Sequence, residues 1–285
     1  MSSDFSTHKN IISRSIIVYC LFWVSVRGLS HTLPPQLEQP LLKRPVYDIA
    51  FWIYGLSGLS DLLTRHLAIS WFILGIFLAV SLYKLLKPSA VWSAVAFTLG
   101  LLIIDVSNNF FVGHSMHYMA AMVVISFALW GKSGKSFSLL WNGARYYACW
   151  LYFSAFLWKL TGSMWQWDAG IISVKSNMAT YLYLNPDSNF AHFIYWFIEH
   201  PFWVNAGHKI VMLAEGLFGL GFITRRFDKL LIGCAIFIFT LTTLFSDVFF
   251  AEQLIIIFTF ISTSQWQRLK EMLNRKKVAA TTLTE

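Results

Sequence analysis

Lys159 stands in the run Tyr152-Phe153-Ser154-Ala155-Phe156-Leu157-Trp158-Lys159-Leu160, which is otherwise almost wholly apolar. Apolar surroundings disfavour the ammonium form, and a lysine held there can serve as a general base. The plainer alternative is a lysine whose stem lies along the apolar wall while its amine reaches a nearby interface. His114 and His117 are three residues apart, so they share a face if a helix has begun by that point. They read as hydrogen-bonding, proton-transferring side chains, because two histidines without a third ligand make half a metal site, and no metal is expected. His208 and Glu215 are seven apart, two turns along one face. Glu215 lies deeper and needs a buried partner or a proton. Asp105, Asn109, Tyr118, Trp165, Trp167 and Asp168 complete the candidate set. Lys159, His114, His117 and Asp168 are expected to do chemistry, and Asp105, Asn109, Tyr118, Trp165, Trp167 and His208 to bind the substrate.

These residues are informative because of where they sit. The chain has 285 residues, 56% of them hydrophobic and only 13% charged, with a mean hydropathy of +0.57. Soluble domains carry about 25% charged residues. The expected fold is therefore an all-α, polytopic transmembrane helical bundle in which an ionisable side chain at mid-helix costs at least about 2.5–3.5 kcal/mol. Apolar runs long enough to cross, or nearly so, fall at 11–29, 47–63, 68–86, 89–107, 116–131, 144–162, 203–223, 229–247 and 249–265. That gives eight or nine spans, the first being either a crossing or a helix lying in the interface. One domain is expected over 1–277, with a disordered cytoplasmic tail at 278–285.

The net charge of +8 comes from short basic clusters between apolar runs, which argues for topology signals and against a nucleic-acid surface. Lys84 and Lys87, then Lys132, Lys135 and Arg145, then Arg225, Arg226 and Lys229, then Arg268 to Lys277 follow alternate segments. The intervening connection at 108–115 has no Lys or Arg. This alternation puts the C-terminus in the cytoplasm and the connection 163–202 outside. That connection reads as an external loop, with an amphipathic helix at 190–200 lying in the interface. Most of the candidate polar residues then gather toward the outer side. Cys20, Cys149 and Cys234 lie within apolar runs and read as buried thiols, not as a disulfide framework.

The pattern Tyr152-Phe153-x-Ala155-x-x-x-Lys159-Leu160, followed by Trp165 or Trp167 and then Gly170, resembles the core of the horizontally transferred transmembrane (HTTM) family. That family includes the vitamin K-dependent γ-carboxylases. The resemblance implies a site open to the lumen, or to the outside in bacteria. It makes Lys159 the base that deprotonates a reduced quinone and starts an oxygenation ending in abstraction of a glutamate γ-proton. The helix at 229–247 offers Thr240, Thr242 and Thr243 where a family histidine would be sought, and His114 and His117 are the substitutes. The vertebrate carboxylases bind peptide through a large lumenal region after the helices, whereas this sequence ends at Glu285. A smaller quinol or lipid-linked substrate is therefore expected, with membrane lipids as surroundings and the bacterial inner membrane as location. The competing classes are a transporter or channel, which would show inverted repeats and broken midplane helices, and a non-catalytic subunit binding partners through its outer Trp-rich loop.

Overall fold

A computed structural model describes residues 2–37, 49–88, 90–111, 120–246, 251–262, 265, 266 and 268, and every regular element among them is helical. They fall into two compact units, one formed by 1–144 and 261–285 and the other by 145–260. The expected tail at 278–285 lies outside the described residues.

The first unit opens with α1 (Ser2–Leu29). Its buried residues Ile12, Ile16, Ile17, Cys20, Trp23 and Val24 recur at helical spacing and form a single stripe. A short 3-10 turn (Pro34–Gln36) follows, then α2 (Ile49–Leu56) and α3 (Leu59–Arg65). The expected span at 47–63 is thus two short helices. They break at Gly58, whose φ of +73° is a left-handed conformation that residues with a Cβ rarely adopt. The hairpin of α4 (Leu67–Leu86) and α5 (Val91–Phe111) is the centre of this unit. Phe77 and Phe97 stack across it with ring centroids 5.4 Å apart. Lys84 is buried, yet its Nζ donates to the carbonyls of Pro88 (2.6 Å) and Ala90 (2.7 Å), which closes the turn between the two helices. The fifth expected span is the short α6 (Ala121–Ser126), continued as a 3-10 turn to Trp130. Thr98 holds it to α5 by accepting from Ser126 Oγ (2.9 Å) and Trp130 Nε1 (3.0 Å).

The second unit begins within α7 (Gly134–Thr161). It continues through α8 (Ala169–Leu184), α9 (Asn189–Glu199), α10 (Pro201–Leu217), α11 (Leu220–Ile223), α12 (Asp228–Ser246) and α13 (Ala251–Leu254), the last running on as a 3-10 turn to Phe260. The stretch 163–202, expected as a loop with one helix at 190–200, is mostly helical. Most of it is α8 and α9, whose Val174, Met178, Leu182, Ala191 and Ile194 join Val204 of α10 in one apolar core. The helix expected at 190–200 is present as α9, capped by Ser188, whose Oγ accepts from Ala191 N at 3.0 Å.

Arg145 anchors the far end of this unit. It donates to Gly221 O (2.6 Å), Thr224 O (3.2 Å) and Asp228 Oδ1 (2.6 Å), and its guanidinium lies over the Phe260 ring. These bonds use carbonyls that the end of α11 leaves without intrahelical donors.

Among the described residues, five helical stretches are long and apolar enough to cross a membrane: Lys9–Gln36, Leu67–Leu86, Val91–Phe110, Pro201–Ile223 and Asp228–Phe245. They carry exposed large side chains such as Trp71, Phe72 and Ile76 on α4, Ile210 and Leu213 on α10, and Ile236 and Phe237 on α12. Apolar flanks of this kind are compatible with an integral membrane protein. The stretches Ala121–Trp130 and Ala251–Phe260 are apolar but short. The three cysteines are free and buried.

Candidate functional site

The last turns of α7 carry Lys159 to its partner. Tyr152 stacks on Phe218 at 4.3 Å, which lays α7 along the end of α10. Two turns further on, Lys159 Nζ meets Glu215 Oε1 at 2.5 Å, with the two side chains 19% and 5% exposed. Removing either member of such a pair leaves an uncompensated buried charge, a loss of about 3–5 kcal/mol in comparable sites. The second carboxylate oxygen, Glu215 Oε2, is buried and has no hydrogen-bond partner among the described residues.

Lys159 also lines a cavity of about 350 Å³. Its walls come from α8, α9, α10 and α12, chiefly Val174, Phe197, Val204, Val211, Leu241 and Phe245. Ser173, His208 and Thr242 add polar atoms, and Trp203, largely exposed, is part of the rim. The volume falls in the range of small-molecule sites, which combine apolar walls with a few polar groups.

Gly170 and Asn205 set the spacing of those walls. A Cβ on Gly170 would lie 2.9 Å from both His208 Cβ and Val204 O, so only glycine lets α8 approach α10 this closely. Asn205 Oδ1 accepts from Ile171 N at 2.9 Å and satisfies one of the free N–H groups at the start of α8. The link between α7 and α8 is gripped from α10. Lys209 Nζ donates to the carbonyls of Met164 (3.2 Å), Trp165 (2.7 Å) and Gln166 (2.6 Å). His208 Nε2 donates to Met164 O at 3.3 Å, which requires the hydrogen on Nε2.

Of the residues singled out by sequence, Lys159 and His208 line the same cavity. Trp165 and Trp167 are exposed and border a separate hollow of about 300 Å³ with Lys209 and Leu213. Asp168 is exposed at the N-cap position of α8, where its side chain caps no N–H, and it is not part of the cavity wall. Asp105 and Asn109 belong to the first unit, where both are buried on α5. Asn109 Nδ2 donates to Asp105 O (2.9 Å) and Oδ1 (3.2 Å). His114, His117 and Tyr118 lie outside the described residues.

Sequence reasoning noted Glu215 without its partner, named Thr242 only as standing where a family histidine would be sought, and missed Lys209, Asn205 and Ser173. The available signal was charge balance. Lys159 and Glu215 are two opposite charges in apolar helices, and each needs a counterion. No family model matches the chain, and neither the curated proteins nor the solved structures give a match.

Proposed function

We propose that the protein is an integral membrane enzyme resembling the vitamin K-dependent γ-carboxylases, in which Lys159 removes an acidic proton from a quinol or another lipid-like molecule. The observation that carries this reading is an amine on the wall of a largely apolar cavity of about 350 Å³. An apolar ring or chain suits Val174, Phe197, Leu241 and Phe245, and an acidic hydroxyl suits Lys159 and His208, which line the same cavity. A bound quinol would supply the redox chemistry. The chain's own residues bind it, exclude water and move the proton at Lys159 Nζ.

The arrangement of basic residues supports an outward-facing site and a cytoplasmic C-terminus in a multi-pass membrane protein. Adding α7 and the two shorter apolar helices to the five long stretches gives eight crossings, and a ninth rests on α2 and α3 together.

Native mass spectrometry of the purified protein tests the reading, with a co-purifying quinone or lipid as the expected result. Turnover of a short-chain naphthoquinol should disappear in Lys159→Ala. Full activity in that variant ends the lysine-base mechanism. Substrate flux into proteoliposomes that survives Lys159→Ala would favour transport instead.

A further inference from the structure

The Lys159–Glu215 contact raises a problem for a simple lysine base. An amine held 2.5 Å from a carboxylate is an ammonium in its ion pair, and an ammonium has no lone pair to accept a proton. Lys159 can take a proton only if it gives one up. Among the described residues, Nζ bonds to Glu215 Oε1, so this oxygen is the exit.

Building on the reading of the cavity as an acid–base site, we propose that Glu215 is the terminal acceptor of the substrate's proton and that Lys159 is the relay. The substrate O–H bond breaks and its proton joins Nζ, while one Nζ–H bond breaks and that proton joins Oε1. The substrate leaves the step as an oxyanion, Lys159 remains an ammonium beside it, and Glu215 becomes a neutral acid. Total charge is unchanged and no electrons are transferred to or from the protein.

Three features favour this route over a lone amine. Glu215 is not part of the cavity wall, whereas Lys159 is, so a ligand reaches the carboxylate through Nζ. Oε2 is buried without a donor, so the resting carboxylate is only half satisfied, and protonation removes charge from that position. The ammonium that persists can then turn its hydrogen bonds to the newly formed anion, which is where stabilisation is needed. Glu215 touches no substrate in this scheme and acts through Lys159.

The test is an infrared difference spectrum of the full-length protein in lipid nanodiscs, with and without a short-chain naphthoquinol kept reduced. Binding is measured in parallel by equilibrium dialysis. The expected result is a new carbonyl stretch of a protonated carboxylic acid, matched by loss of a carboxylate band. The new band should shift with ¹³C-labelled glutamate in the wild-type protein, so the assignment does not depend on a variant that folds. It should vanish in Glu215→Gln and move in Glu215→Asp. If the naphthoquinol binds and no carboxyl group gains a proton, the relay is overturned while the cavity remains a binding site. If the wild-type protein does not bind the naphthoquinol, the relay fails together with the reading on which it rests.

Discussion

Two buried ion pairs hang from the same helix, roughly four turns apart, and they treat their polar atoms differently. Near the middle of α7, Arg145 spreads its guanidinium over two carbonyls and the carboxylate of Asp228, and packs on the Phe260 ring. Nε is its one nitrogen without a partner among the described residues. Near the end of α7, Lys159 makes a single bond to Glu215, whose other oxygen has no donor, and beside the pair is a cavity. The Arg145 pair is surrounded by fixed backbone and has nowhere to send a proton, since a guanidinium does not release one near neutral pH. The Lys159 pair has a donor that can lose a proton, an acceptor that can gain one, and space for a ligand. The first arrangement holds helices together, and the second is suited to reaction.

This contrast can be broken by experiment. The largest expected effect is on the reactive pair. Lys159→Ala and Lys159→Arg should each lower kcat for naphthoquinol turnover by about 10²–10⁴-fold, the usual range for a positioned acid or base. Arginine should fail as completely as alanine, because it keeps the charge but does not release a proton near neutral pH. A variant within a few fold of wild type would remove the distinction drawn above.

Next comes the holding pair. Arg145→Ala should destabilise the second unit by about 3–5 kcal/mol, read as a drop in thermal midpoint in detergent or nanodiscs. An unchanged midpoint would mean that the clamp carries no stability.

The third effect is smaller. Gly170→Ala should cost about 1–3 kcal/mol by forcing α8 away from α10, and naphthoquinol affinity should weaken with it. The smallest effect is local. Lys209→Met should speed hydrogen exchange in 162–168, where three carbonyls each lose the lysine donor, with little change in the global midpoint. Exchange at wild-type rates would show that the grip of α10 on this link is not needed.

How far these features could be read in advance depended on their range. Helices such as α4 and α5 were legible because about twenty consecutive apolar residues admit few other readings. The run 47–63 looked similar in composition, but its course is decided by the backbone at Gly58, which hydropathy does not report. α8 escaped notice because it mixes Ser173, Lys175, Ser176 and Asn177 with apolar residues, and beyond Ala169 and Gly170 at its start it buries a narrow stripe of Val174, Met178 and Leu182. At the site, Lys159 and Glu215 were each conspicuous as a charge in apolar sequence. Their pairing joins helices 56 positions apart and is a fact of packing. Asp168 went the other way. Its place beside Trp167 hinted at chemistry, and the fold leaves it on the surface at the start of α8.

The close seam at Gly170 has a practical consequence for altering ligand preference. Where α8 meets α10 there is no slack to redistribute, so bulk added or removed there would disturb the backbone before it reshaped the chamber. Leu241 and Phe245 on α12 also line the cavity and take no part in that seam. Trimming those two side chains should enlarge the cavity without changing Lys159 or its partner Glu215.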